Sequence, residues 1–245
     1  MHYLVIIGFV IVCLILVFLL ALFIKGPADL LSKYFIFTHQ AMHTRPSQFF
    51  DPNRTSTVLV LGDSLAVGVG STSPQHTVAG NIFKKTNYNV NTSAVNGYKI
   101  LNLPDLIPQK TAKYNAVVVI LGGNDFALYE SYLSNAAVYN MVEQALRLLR
   151  SRFPQPIPIV WATYVHPTVI PTLATNVIKD ANLAGWKSGM YFKDVLEKLG
   201  PQYAVRVENF KDITYMPSQF MSKDGVHPSD AGYEVMSDYI IRALQ

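Results

Sequence analysis

The feature that most constrains the fold is a repeated order of short apolar segment, turn and helical segment, which begins at Thr55. The apolar segments are short and mostly rich in β-branched residues, and the first three stop at glycine-containing turns. Strands that are apolar throughout indicate a parallel sheet whose two faces are both covered. We therefore predict strands in five segments: 57–61, 88–95, 116–121, 156–165 and 203–210.

Amphipathic helical patterns lie between these strands and follow the last one. They cover residues 78–85, 135–153, about 175–199 and 230–244, and Ser229 or Asp230 is a natural N-cap for the final helix. Strands that alternate with helices predict an α/β fold. We expect a three-layer α/β/α sandwich around a mainly parallel, flavodoxin-like sheet of about five strands.

A long uncharged segment precedes this domain. Residues 3–24 contain no charged side chain, and as a helix they would span roughly 33 Å, enough to cross a bilayer. A cleaved signal peptide has basic residues, then a shorter apolar run, then a cleavage site between small residues. Here no Lys or Arg precedes the run, the run is longer, and no such cleavage site follows it. We expect one uncleaved N-terminal transmembrane helix, with residues 1–25 as the anchor, 26–54 as a juxtamembrane connector and 55–245 as the globular domain.

The charged residues that flank the predicted anchor do not decide on which side of the membrane the domain lies. Basic residues follow the anchor and none precedes it, so the positive-inside rule would retain the domain in the cytoplasm. The relevant residues are Lys25, Lys33, Arg45 and Arg54.

The composition excludes several classes of protein. Half of the residues are hydrophobic and 15% are charged, which is too apolar for a disordered chain. Cys13 is the only cysteine and lies in the apolar segment, so no intrachain disulfide and no thiol nucleophile is expected. The net charge of +4 is dispersed, which does not favour nucleic-acid binding. His39 and His43 have helical spacing, but nothing nearby completes a zinc site.

Polar or glycine-rich segments occur where the strands end and before the last helix. They are GDSLAVG (62–68), NGYKI (96–100), GGND (122–125) and DGVHP (224–228). Ligands of open parallel sheets bind outside the carboxyl ends of the strands, so we expect these four segments to meet at that end of the sheet.

Each of these segments taken alone also has a purely structural interpretation. Ser64 could cap a helix, Gly97 could occupy a type I′ turn, Asn124 could bond its own backbone, and His227 could be a capping or core residue. His166 is a rival general base, although no carboxylate is close to it in sequence.

In combination, the four segments resemble the four blocks of the SGNH hydrolases, also called GDSL lipases and esterases. They occur in that family's order, and the resemblance covers the chain from about residue 57 to its end. The second block departs from the pattern, because Tyr98 and Lys99 stand where small residues are more usual.

The resemblance implies a role for each residue of the site. Ser64 would be the nucleophile, which requires a base to attack an ester carbonyl. His227 would be that base, and Asp224 would fix its tautomer. The oxyanion hole would consist of the backbone N–H groups of Ser64 and Gly97 and the side-chain amide of Asn124.

The remaining site residues and ligands follow from the same resemblance. Asp63 and Asp125 are expected to tie the loops together rather than to react. No metal and no organic cofactor is implied. Residues 55–245 would then form an SGNH hydrolase-like catalytic domain, with residues 165–175 bordering its pocket.

The expected function is that of a membrane-anchored serine esterase that cleaves carboxylic esters of lipids or acetylated glycans through an acyl-serine intermediate. Two alternatives remain open, an acyltransferase on surface glycans with the same triad and a non-catalytic glycan- or lipid-binding relative. Family analogy would place the catalytic domain outside the cytoplasm, in contrast to the charge asymmetry. The partners would be an ester substrate and the membrane, with no nucleic acid, and the sequence does not predict an oligomeric state.

Overall fold

A computed structural model of the chain describes residues 44–126, 133–163, 176–209, 218–224 and 226–245, with only the backbone for 176–187. The predicted anchor, His39, His43, His166 and the segment 165–175 lie outside the described residues. Within the part that the structure describes, no helix is both long enough and apolar enough to cross a membrane.

The five predicted strands form one sheet in which every neighbouring pair is parallel. The strand order is β2-β1-β3-β4-β5, which is the flavodoxin-like order of doubly wound α/β folds. The structure confirms the predicted sheet, extends β1 by one residue at each end and shortens the other four strands at a described end. Their bounds are β1 Ser56–Gly62, β2 Tyr88–Ala94, β3 Ala116–Ile120, β4 Ile159–Thr163 and β5 Val205–Asn209.

The four predicted helices are present, and three short ones that the sequence analysis missed follow β1, β2 and β3. Ser229 is the N-cap of the last helix, because its hydroxyl accepts a hydrogen bond from the Gly232 N–H. The described helices are α1 Ser64–Val67, α2 Val78–Lys85, α3 Leu103–Leu106, α4 Gly123–Phe126, α5 Asn135–Arg152, α6 Asn176–Leu199 and α7 Asp230–Leu244.

Each face of the sheet buries its own apolar core. Val58 and Val60 of β1 point into the core that contains α2 and α7. Leu59 and Leu61 point into the opposite core, which contains α5 and α6. Because alternate residues of a strand face opposite sides, two covered faces require a strand that is apolar throughout. The helices on both faces confirm the three-layer arrangement.

The outer edge of β2 is covered by the end of the segment that the sequence analysis assigns to the connector. Phe49 and Val90 exchange two backbone hydrogen bonds of 2.9 Å as an antiparallel bridge. The side chain of Gln48 donates to the carbonyl of Thr92 at 2.8 Å. The Asp51 N–H donates to the side chain of Asn89 at 2.7 Å. Residues 48–51 are therefore attached to the domain rather than separate from it.

Candidate active site

The first site segment follows β1, where the chain turns into the single helical turn α1. Asp63 is the N-cap of this turn, and its carboxylate accepts a hydrogen bond from the Leu65 N–H at 3.0 Å. Ser64 is the first helical residue, so its own N–H has no partner within the helix. The structural alternative for Ser64 as a cap is therefore wrong, because Asp63 fills that position and the Ser64 hydroxyl is available for another contact.

That contact is with His227, which links Ser64 to Asp224. The Ser64 Oγ lies 2.9 Å from His227 Nε2, and His227 Nδ1 lies 2.6 Å from Asp224 Oδ2. The side chains of His227 and Asp224 are 3% and 0% exposed, respectively. The structure thus brings together the three residues that the sequence resemblance assigns to a catalytic triad.

The carboxylate of Asp224 is held in its ionised form by its neighbours. Burial alone would raise its pKa, but hydrogen bonds from His227 and Ser222 outweigh burial and lower the pKa to about 2. An ionised carboxylate can only accept, so His227 Nδ1 carries the proton and Nε2 is left to accept one from Ser64.

Ser222 is a site residue that the sequence analysis missed. Its hydroxyl donates to Asp224 Oδ1 at 2.6 Å, and the same oxygen accepts from the N–H groups of Val226 and His227 at 2.8 and 2.9 Å. The Ser222 N–H also donates to the His227 carbonyl at 2.8 Å. A serine two residues before an aspartate is too common a pattern to have indicated this role.

The loop that follows α1 packs directly against the turn that carries His227. A Cβ atom added at Gly70 would lie 2.7 Å from the Pro228 carbonyl oxygen and 2.9 Å from the His227 Cβ. The Tyr233 hydroxyl donates to the Val69 carbonyl at 2.6 Å in the buried interior. These contacts fix the distance between the segments that carry Ser64 and His227.

Gly97 occupies a turn immediately after β2. The Tyr98 N–H donates to the Val95 carbonyl at 3.2 Å, and Gly97 has a φ of 79°. Asn96 does not have a positive φ, so the turn is type II and not the type I′ considered from the sequence. Among the described residues, apart from its two chain neighbours, no atom lies within 4 Å of the position that a Gly97 Cβ would occupy, so this side of the turn is open there.

The turn lies beside the end of β1, because the Val95 N–H donates to the Gly62 carbonyl at 3.1 Å. Gly97 and Ser64 therefore follow adjacent strands, at the same end of the sheet.

Asn124 joins the first two site segments. Its amide nitrogen lies 3.2 Å from Asp63 Oδ2 and 3.0 Å from the carbonyl oxygen of Tyr98. Both partners are acceptors, so both amide hydrogens are engaged. The amide thus lies between the segments that carry Ser64 and Gly97, and it must give up one of these bonds to donate to a substrate oxygen.

The two aspartates expected to be structural do connect the loops. Asp125 accepts a hydrogen bond from the Ile100 N–H at 3.1 Å. Burial raises the pKa of Asp63 to about 7, the Leu65 N–H opposes that rise, and the charge of Asp125 adds to it. Among the described residues, no group of three or more His, Cys, Asp or Glu side chains is placed to hold a metal ion.

The comparisons with known proteins bear on the family and the fold. The family model of the GDSL-like lipase/acylhydrolase family matches residues 60–235. No curated sequence is similar enough for a significant match.

Solved structures of several enzymes share the fold at low sequence identity. An extracellular lipase from Streptomyces rimosus is 14% identical with a TM-score of 0.54, over 77% of this chain and 99% of that one. A carbohydrate esterase family 2 enzyme from Corynascus thermopiles is 16% identical with a TM-score of 0.56, over 80% and 67%. A salicylyl-acyltransferase from a tetracycline biosynthetic pathway is 16% identical with a TM-score of 0.58, over 79% and 55%.

The family model extends from β1 into α7 and includes each residue of the site described above. The structural neighbours add the fold, at identities too low to transfer a substrate. This chain therefore belongs to the GDSL-like lipase/acylhydrolase family, the SGNH hydrolases, and is a serine ester hydrolase.

Proposed function

We propose that this protein is a membrane-anchored esterase that hydrolyses carboxylic esters through an acyl intermediate on Ser64. The observation that carries the proposal is the continuous contact from Asp224 through His227 to Ser64, with distances of 2.6 and 2.9 Å. The anchor is the uncharged segment 3–24, which precedes the described residues.

In this mechanism Ser64 Oγ attacks the carbonyl carbon of the ester, and its proton passes to His227 Nε2. The bond between the carbonyl carbon and the alcohol oxygen then breaks, and His227 returns the proton to that oxygen. Water then attacks the acyl carbon and gives a proton to His227 Nε2, and the bond from that carbon to Ser64 Oγ breaks as His227 returns the proton to Oγ and the acid leaves. Asp224 remains ionised throughout and stabilises the imidazolium form of His227.

The negative charge of the tetrahedral intermediate would be stabilised by three donors. The N–H of Ser64 has no partner within α1, and the Gly97 N–H lies in a turn whose surroundings are open. Asn124 would exchange one of its present hydrogen bonds for one to the oxyanion. Each such donor typically contributes about 10²–10³ in rate.

We propose lipid esters as the first substrate class to test and acetylated glycans as the second. The anchor would hold the site near a bilayer, which favours lipids. The similar folds of a lipase and of a carbohydrate esterase are compatible with either class.

The test of this function is ester hydrolysis by the full chain in detergent micelles, with p-nitrophenyl butyrate as the substrate. We expect turnover, stoichiometric labelling by a serine-directed fluorophosphonate, and loss of both in Ser64→Ala. Ser151→Ala, at an exposed serine of α5, is the matched control and should keep both. A folded Ser64→Ala protein with full activity would contradict the mechanism.

Acyl transfer is a second candidate, because the fold is also that of a salicylyl-acyltransferase. The acyl-Ser64 intermediate is the same, and only the acceptor hydroxyl differs. Mass spectrometry after incubation with an acyl donor and a mixture of oligosaccharides separates the two. Free acid alone supports hydrolysis, whereas an acylated sugar supports transfer.

A further inference from the structure

The direction in which the chain enters the domain bears on how the site is oriented. The bridge between Phe49 and Val90 is antiparallel, so residues that precede Phe49 run toward the carboxyl end of β2. The contact of Gln48 with Thr92 follows that direction, because Thr92 is two residues closer to the end of β2 than Val90. The chain therefore enters the domain at the end of the sheet where the strands have their carboxyl ends and where the active site lies.

Because the sheet is parallel, the carboxyl ends of all five strands lie at this same end. β2 is parallel to β1, and Ala94 at the end of β2 pairs with Gly62 at the end of β1. Ser64 follows Gly62 by two residues. The active site and the arriving connector therefore lie at the same end of the sheet.

The chain that precedes the described residues is long enough to reach either end of the domain, so its direction of entry rather than its length favours one orientation. Eighteen residues, 26–43, separate the predicted anchor from Thr44, and they span at most about 65 Å when fully extended. If the active-site end faced away from the bilayer, the connector would have to pass the whole domain, which is about 40 Å across for this length. The direct path places the active-site end toward the bilayer.

Two exposed apolar side chains lie on the β2 side of this end. Val95 directly follows β2 and is 42% exposed, and Leu101 lies just after the Gly97 turn and is 72% exposed. Scattered exposed apolar residues are normal on a protein surface. These two flank the turn of the proposed oxyanion hole, at the end from which the anchor segment arrives.

We propose that the end of the sheet that carries Ser64 and His227 faces the lipid bilayer, with Val95 and Leu101 in contact with lipid, so that ester substrates enter the site from the membrane. This inference rests on the proposed membrane-anchored esterase. It adds the orientation of the site, the residues that contact lipid and the route of the substrate.

The first experiment measures contact with lipid directly. The full chain is prepared with Cys13→Ser and one new cysteine, either Leu101→Cys or Phe50→Cys, and each is labelled with an environment-sensitive fluorophore. Phe50 is the matched control, because its exposure of 76% is close to the 72% of Leu101 and it lies nearer the amino end of β2, where the neighbouring Asp51 N–H bonds Asn89. The proteins are reconstituted in phosphatidylcholine and phosphatidylglycerol vesicles that contain doxyl-labelled lipid.

The expected result is at least threefold stronger quenching by doxyl lipid at position 101 than at position 50. Equal quenching, or none at either position, overturns the proposal. Two checks on the same samples keep this outcome separate from failure of the proposed function. Retention in the vesicles after carbonate extraction tests the anchor, and hydrolysis of p-nitrophenyl butyrate tests the esterase.

The second experiment asks whether the apolar residues matter for substrates in the bilayer. For each variant, the rate on a fluorogenic phospholipid ester in vesicles is divided by the rate on p-nitrophenyl butyrate. The ratio should fall at least fivefold in the double variant Val95→Ser/Leu101→Ser and stay at the wild-type value in Phe50→Ser. An unchanged ratio in the double variant contradicts entry from the membrane.

Discussion

The amide nitrogen of Asn124 lies 3.2 Å from the carboxylate of Asp63, the residue that directly precedes the nucleophile. The residue that caps α1 therefore also holds a proposed oxyanion donor. The same amide donates to the Tyr98 carbonyl, which ties the third site segment to the second. The proposed oxyanion hole is thus assembled through Asn124, and loss of its amide should reduce the rate of the reaction more than the stability of the fold.

The first prediction concerns that amide. Asn124→Ala should lower kcat by about 10²–10³ with little change in KM, because the donor acts on charge that develops in the transition state. The measurement is steady-state hydrolysis of p-nitrophenyl butyrate. Asn87→Ala, at an exposed asparagine before the amino end of β2, is the control and should match the wild type. A rise in KM at constant kcat would instead assign Asn124 to substrate binding.

The second prediction concerns the ionisation of Asp63. Its pKa is about 7 in the folded protein and near 3.8 in the unfolded chain, since burial disfavours the charged form. The folded state therefore binds more protons than the unfolded state between about pH 4 and 7, and this group lowers the free energy of unfolding as the pH rises through that window. In Asp63→Asn the contribution is absent.

The stability of Asp63→Asn relative to wild type should consequently increase from pH 4.5 to pH 8, by about 3 kcal/mol. Urea unfolding followed by tryptophan fluorescence at several pH values measures this difference. Asp105→Asn, at an exposed carboxylate of α3, controls for the loss of one negative charge. Parallel stability curves for Asp63→Asn and wild type would refute the raised pKa.

The third prediction concerns Ser222, which acts through Asp224. Ser222→Ala removes one of three donors to Asp224 Oδ1 and should lower kcat about tenfold, since a hydrogen bond to a charged group is worth about 1.5–3 kcal/mol. Ser222→Thr retains the hydroxyl and should recover most of the rate. If threonine fails to restore activity in a folded protein, the hydroxyl is not the relevant group.

The fourth prediction concerns Gly70. Gly70→Ala would place a methyl group 2.7–3.0 Å from Pro228, His227 and Ser222, in a backbone conformation with a φ of 96°. We expect a loss of about 1–3 kcal/mol in stability and at least a tenfold loss in kcat, because the turn that carries His227 must move away from Ser64. Denaturation and kinetics on one preparation measure both.

Gly97→Ala is the comparison for stability. Its φ is also positive, but the space around the added Cβ is open. It should therefore cost only about 1–2 kcal/mol from the backbone conformation. If Gly70→Ala were no more destabilised than Gly97→Ala and kept its kcat, close contact with the His227 turn would not matter.

The sheet could be predicted from the sequence because its signals are local. A strand such as Ala116–Ile120, buried at every position, reads as continuously apolar, and each strand is followed by a turn or polar residue that ends it. The residues of the triad were also accessible, since Asp224 and His227 share one turn and Ser64 follows the first strand. What the family resemblance added was the assignment of the four segments to one site.

Other features depend on contacts that no local pattern encodes. The bridge of Phe49 to Val90 joins residues 41 apart across the edge of the sheet, and nothing in the connector's composition indicates it. The two bonds of Asn124 depend on how three loops meet. Ser222 is an ordinary turn residue until the fold places its hydroxyl on Asp224.

The separation of Ser64 and His227 by 163 positions has a consequence for biosynthesis. The nucleophile is made well before its base, which lies on the turn that leads into α7. Domains form as the chain emerges from the ribosome, N-terminal parts first. A nascent chain therefore carries Ser64 without a base until the segment with His227 has emerged and packed against the loop that follows α1, so the enzyme cannot act while that segment is still being made.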